Sequence, residues 1–154
     1  MKLSKRGEYG IRALINLASY PDKNAVVQIK EIARVERIPV KFLEQILVAL
    51  KNAGLVQSRL GSGGGYYLGK PADQITLGQV VRILDGPLAP VRCVSQVAYE
   101  PCACPNEATC GLRMVMGDVR NAISNILDNT SLADVARRVE NVREALQLPN
   151  GSRG

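Results

Sequence analysis

The chain has no histidine, no tryptophan and a single phenylalanine among its 154 residues. Without histidine it lacks the commonest general base and metal ligand, which excludes most Ser-His and Cys-His catalysis. With so few large aromatics and 46% hydrophobic residues, a core must be built from aliphatic side chains, as in helical proteins. No apolar run approaches the roughly 20 residues that span a bilayer, and no charged-then-apolar leader precedes a cleavage site. These absences lead to the expectation of a cytoplasmic chain without membrane contact. In a reducing compartment disulfides are not the default fate of cysteine. The length suits one real core plus an appended element rather than two independent domains.

Cysteine is scarce, and its placement is informative. Cys93, Cys102, Cys104 and Cys110 are the only four, and all lie in CVSQVAYEPCACPNEATC, a segment with two prolines and almost no helical pattern. Thiolates gathered on a flexible backbone suit a metal or cluster, whose ligands must reach one point.

Charge is divided unevenly. Residues 1–70 hold 12 Lys/Arg against 5 Asp/Glu, a net +7, whereas residues 71–154 hold 8 against 9, a net −1. A basic N-terminal part offers phosphate contacts and counterion release, the usual source of DNA affinity.

Periodicity gives this half a form. In 8–20, Ile11, Leu14, Leu17 and Ala18 fall on one helical face. A short helix follows with Ile29, Ile32 and Ala33 at i, i+3, i+4. After Arg37-Ile38-Pro39, a second helix buries Leu43, Ile46, Leu47 and Leu50 and stops at Gly54. Two helices joined by so short a turn form a helix-turn-helix. Val56–Arg59 and Tyr66–Leu68, separated by a glycine-rich turn, then read as a hairpin wing. Gly63 and Gly64 would let backbone approach a groove closely, and Arg59 is placed to reach phosphate or the minor groove. Thr76 caps a further helix over 76–85, ended by Gly86-Pro87.

Beyond the cysteines, Leu112, Met116, Val119, Ile123 and Ile126 alternate steps of four and three, a heptad seam widened by Val115, Ala122 and Leu127. Such a stripe either packs back on its own domain or dimerises, and a DNA reader of this size generally needs two half-sites. The predicted class is mainly α: a winged helix-turn-helix over 1–85, a cysteine-rich loop over 86–110, a long dimerisation helix and a C-terminal helix over 111–148, and a mobile tail over 149–154.

Several segments together resemble the Rrf-two family of bacterial transcription regulators. MKLSKRGEYGIRAL, FLEQILVALKNAGLV, SRLGSGGGYYLGK and TSLADV match in order, with a cysteine-rich loop before a long helix. The resemblance covers roughly residues 1–140. It implies a homodimer, usually a repressor, with recognition helices in successive major grooves of a palindromic double-stranded operator. It places Glu44 and Gln45 at base edges, Lys41 near phosphate and Arg59 at the wing position. Gln can pair bidentately with adenine, and Glu can accept from cytosine N4.

The resemblance also implies an iron–sulfur cluster, of two or four irons, held by three loop cysteines. By position these are Cys93, Cys104 and Cys110, with Cys102 as the alternative to Cys104. Family members complete the site with a histidine after the last cysteine, where Arg113 stands here, or with a carboxylate from the partner's first helix. Glu8 occupies the latter place. Redox state, nitric oxide or iron and cluster supply are the expected signals.

Other readings are weaker. A zinc site or a thiol–disulfide switch would keep the DNA reader, but zinc favours two-residue ligand spacings that are not found here. A thiol enzyme would lack histidine and a substrate motif, so no enzymatic activity is expected. An RNA-binding module would lack stacking aromatics beyond Tyr66 and Tyr67.

Overall fold

The computed structural model describes residues 2–149; Met1 and residues 150–154, which make up nearly all of the expected tail, lie outside the described residues. Helix α1 spans Lys5–Ala18, and its N-cap Ser4 accepts from the Gly7 amide. Ser4 is itself held by Asp85, whose Oδ2 accepts from the Ser4 amide at 2.9 Å. The buried residues of α1 are Gly7, Gly10, Ala13, Leu14, Asn16 and Leu17. The buried face is thus rotated from the predicted stripe, with Ile11 and Ala18 only half-buried. The cause is close helix approach: a Cβ added to Gly10 would meet Leu84 Cδ1 at 2.1 Å. An aliphatic count gives such glycines no weight.

Helix α2, Ile29–Glu36, ends in Arg37, which adopts a left-handed conformation at φ 54° and turns the chain sharply. Helix α3, Val40–Asn52, buries Leu43, Ile46, Leu47 and Leu50, each with no exposed surface, as its periodicity predicts. Strands β1, Val56–Arg59, and β2, Gly65–Leu68, pair antiparallel with Val56 opposite Leu68 and Arg59 opposite Gly65. Val27 adds a bridge to Tyr66, exchanging two backbone hydrogen bonds of 2.9 and 2.8 Å. The predicted winged helix-turn-helix is therefore present.

Helix α4, Leu77–Asp85, opens with a capping box between Thr76 and Gln79 and packs on α1 and α3. The cysteine segment holds only two single-turn 3-10 helices, Arg92–Val94 and Glu107–Thr109. Helix α5 runs from Gly111 to Asp128 and buries none of its residues. Helix α6, Leu132–Ala145, returns to pack on α1.

The corner between α5 and α6 is fastened to the core. Leu132 is fully buried beside the α1, α3 and α4 aliphatics. The Leu77 amide donates to Thr130 O at 2.9 Å, and the Leu132 amide to Ile75 O at 2.8 Å. Beside this bridge, Arg82 grips Asp128 through both carboxylate oxygens at 2.6 and 2.9 Å, joining α4 to the end of α5.

Hydrogen bonding to Arg82 holds the Asp128 carboxyl below its ordinary range. A lowered native pKa contributes stability above the unfolded value, and that contribution is lost as pH falls through the native one. Both side chains are more than a third exposed, 37% and 39%. Asp128→Asn should therefore cost less than about 1 kcal/mol at pH 7. Urea titration should show the difference closing as pH falls below the ordinary Asp range.

Candidate nucleic-acid interface and cysteine centre

The outer face of α3 carries Lys41, Glu44 and Gln45, all exposed. Among the described residues none of the three makes a side-chain hydrogen bond or ion pair, so their polar groups are free to meet a ligand. Val48, 54% exposed, lies on the same face, one turn beyond Glu44. Sequence reasoning passed over it as one more aliphatic of α3, although it stands off the Leu43-Ile46-Leu47-Leu50 stripe. A methyl-bearing side chain beside Gln45 suits contact with a thymine methyl.

The wing is held in fixed relation to this helix. Lys51 Nζ donates to Ser58 Oγ at 2.6 Å, linking the end of α3 to β1. Arg59 is exposed at the end of β1, followed by Leu60 at 92% exposure. Gly63 and Gly64 lie in the turn, Gly63 exposed and Gly64 half-buried. Gly65 has a structural duty: a Cβ there would lie 2.4 Å from the Val27 carbonyl oxygen, inside the bridge that anchors the wing.

The four thiols occupy one neighbourhood at the start of α5. Cys93, on the Arg92–Val94 turn, is buried, and the other three are half-buried. Cys110 is the N-cap of α5, its Sγ accepting from the Arg113 amide at 3.4 Å and lying 3.7 Å from Cys104 Sγ. Cys102 reaches Cys104 in one direction and Cys93 in the other. Among the described residues, no group of three or more Cys, Asp or Glu stands close enough together to hold a single metal ion.

The local field distinguishes these thiols. The Arg113 amide, then Cys104, lowers Cys110, because helix-end N–H donors favour the thiolate. Cys104 is pushed up to about 12, first by hydrogen bonding with Cys102 and then with Cys110. Burial, with Cys102 second, raises Cys93.

Two arginines of α5 hold the loop. Arg113 Nε donates to Cys93 O at 3.2 Å, and Arg120 donates to Val94 O at 2.5 Å. Arg113 therefore touches both ends of the cysteine segment. Its only sequence signal was standing three residues after Cys110. Glu107 was also missed; it accepts from the Tyr99 hydroxyl at 2.7 Å and from the Cys102 amide at 3.4 Å. Glu8 lies elsewhere, on α1, paired with Lys5 at 3.1 Å and Arg12 at 3.6 Å.

Would these residues fit an iron–sulfur group? Sulfurs bound to one tetrahedral metal at about 2.3 Å stand about 3.8 Å apart. The Cys104–Cys110 separation of 3.7 Å, a thiol–thiol contact, is compatible with that edge. The donor set is soft and partly shielded from water, and Arg113 supplies positive charge beside it. The residues fit.

A helix-turn-helix followed at once by a hairpin wing, with an unpaired polar helix face, defines a winged-helix DNA-binding protein. The chain belongs to the Rrf2 family, described as iron-dependent transcriptional regulator, which it matches over residues 3–138. It is 39% identical over 137 residues to Protein rrf2 of Nitratidesulfovibrio vulgaris, covering 89% of this chain and 88% of that one. It is 35% identical over 145 residues to the HTH-type transcriptional regulator CymR of Bacillus subtilis, covering 94% and 96%.

Solved structures agree. CymR, described as the global cysteine regulator of B. subtilis, is similar at a TM-score of 0.75 and 35% identity, covering 90% of this chain and 98% of that one. T. potens IscR is similar at 0.70 and 28% identity, covering 98% and 94%. The chain is thus a DNA-binding transcription regulator of this family, whose members are regulators rather than enzymes. No described helix is long and apolar enough to cross a membrane.

Two outcomes follow from this geometry. Gly65→Ala should cost about 1–3 kcal/mol by displacing the Val27–Tyr66 bridge, read by thermal denaturation. In the metal-free protein, Cys110 should alkylate first with iodoacetamide, with a pH midpoint below that of an ordinary thiol. Cys104 should lag to alkaline pH, with mass spectrometry of the labelled peptides reporting the order.

Proposed function

We propose that the chain is a homodimeric repressor that reads a palindromic operator and senses redox state, nitric oxide or iron and cluster supply through an iron–sulfur cluster. The observation that carries this reading is the contact of Cys104 with Cys110, 3.7 Å apart at the N-terminal end of α5, with Cys102 next to Cys104 and Cys93 next to Cys102. The family's description as iron-dependent supports it. Cys93, Cys104 and Cys110 are the thiolate donors. A fourth is needed, and the chain offers Glu8 of a second copy or Cys102 of the same loop. When bound, the cluster supplies a centre reactive towards oxidants and nitric oxide.

Dimerisation is assigned to the α5 seam. Leu112 and Ile126 are each 64% exposed, with Val115 and Val119 open beside them, whereas Met116, Ile123 and Leu127 are half-buried against the same chain, so the outer edge of the stripe is left uncovered among the described residues. Two copies of α5 packed along it would bury this surface and set two α3 helices about one DNA turn apart.

The route from sensor to operator runs through contacts already described. Cys110 caps α5, and Arg113 and Arg120 tie that helix to the loop at Cys93 and Val94. At its other end Asp128 grips α4, which packs on α1 and α3. Drawing the thiolates together or releasing them shifts the start of α5, and the Arg82–Asp128 pair passes that shift to the DNA-reading helices. A coupling of about 1–3 kcal/mol is enough to switch occupancy.

The 3.7 Å Cys104–Cys110 contact also favours a second reading, a reversible disulfide in place of the cluster. Purification without oxygen separates the two: iron and acid-labile sulfide with a brown colour establish the cluster, and a colourless dithiol that oxidises reversibly establishes the switch. On DNA, Gln45→Ala should cost about 1–3 kcal/mol and relax preference at one base pair. Lys41→Ala should weaken all sequences alike and lower the salt slope by about 1. Titrations on operator variants at several salt concentrations check both.

A further inference from the structure

We propose that Cys102 is the fourth ligand, so that the cluster is held by four thiolates of one chain in two pairs, Cys93 with Cys102 and Cys104 with Cys110. The inference rests on the cluster reading above and names the ligands of that site.

Three observations point to it. The first is the pairing itself. Cys104 and Cys110 already stand at the separation of two sulfurs on one tetrahedral metal, 3.7 Å. Cys102 lies beside both Cys93 and Cys104; with Cys104 matched to Cys110, Cys93 is the thiol left for Cys102 to pair with.

The second is the scaffold that makes those pairs. The Glu100 amide donates to Arg92 O at 3.3 Å, folding the loop back so that Cys102 returns to Cys93. The Cys102 amide is held by Glu107 on the turn that leads into Cys110. A single residue separates Cys102 from Cys104, which makes joint ligation of one iron awkward. In this arrangement they serve different pairs, and the short spacing becomes the bridge between two irons.

The third is the state of the competing donor. Glu8 is engaged by two cations, Lys5 and Arg12, and would have to leave both before coordinating iron. Two pairs of thiolates match a two-iron cluster, in which each iron takes two protein ligands. A four-iron cluster gives each iron one ligand and would require the Cys104–Cys110 pair to separate.

The test uses the full chain purified without oxygen, as wild type, Cys102→Ser, Cys102→Ala and Glu8→Gln. Iron, acid-labile sulfide, visible absorption and electron paramagnetic resonance of the reduced protein are measured on each. The expected wild type carries about two irons and two sulfides per chain. Cys102→Ala should lose more than half of its iron. Cys102→Ser should keep a cluster with absorption shifted to shorter wavelength, because a harder oxygen donor raises the charge-transfer energy. Glu8→Gln should match wild type in every readout.

Circular dichroism of the apo forms shows whether Cys102→Ala has folded, and if it has not, the Cys102→Ser spectrum decides. A Cys102→Ser spectrum identical to wild type, or a Glu8→Gln protein with altered resonance, would overturn the ligand set while leaving the sensor reading intact. Four irons per chain in the wild type would overturn the pairing. A wild type without iron or sulfide would instead remove the sensor reading itself, and this ligand set with it.

Discussion

The arrangement of the molecule depends on how the corner between α5 and α6 is held. Leu132 is fully buried among the aliphatics of the DNA-reading half, and two backbone hydrogen bonds tie Leu132 and Thr130 to Ile75 and Leu77 at the start of α4. With that corner fixed, α5 is anchored at its C-terminal end and runs along α4 and the Arg92–Val94 turn. None of its residues is fully buried, and the open edge of its apolar stripe, Leu112, Val115, Val119 and Ile126, is left for another surface. Its N-terminal end is where the cysteine segment gathers. An 18-residue helix rises about 27 Å. It thus connects the cysteine segment and the DNA-reading half through one continuous helix rather than a chain of flexible links.

The two arginines of α5 give the loop a second role for the same helix. Backbone carbonyls at Cys93 and Val94 are satisfied by Arg113 and Arg120 rather than by regular structure. A loop with only two single-turn helices is thereby kept in place without a continuous hydrogen-bond ladder. The same Arg113 lowers Cys110 through its amide, while burial and Cys102 outweigh its charge at Cys93. At Cys110, position and reactivity are thus linked through one residue.

Much of the reading half was legible from spacing. Leu43, Ile46, Leu47 and Leu50 repeat at helical intervals and are the buried residues of α3, because an aliphatic stripe has one way to face a core. The hairpin was legible from its glycines and β-prone flanks. The face of α1 was not, since Gly7 and Gly10 earn their place by letting α4 come near rather than by hydrophobicity. Val48 was hidden by the opposite confusion, an aliphatic residue outside the aliphatic stripe. In the cysteine segment, the clustering of the four thiols was legible but their neighbours were not. Which thiol meets which depends on turns closed by Arg92, Glu107 and Arg113, and no periodic signal marks those.

The contact between Lys51 and Ser58 has a mechanical implication. With the wing base also pinned at Val27, helix and hairpin form a single calliper of fixed span. A braced calliper leaves more of the adjustment to the object it measures. Duplexes whose groove widths or bending stiffness do not suit that span must be deformed to be gripped. Base steps that this protein never touches would then contribute to its choice of site, through how readily they bend.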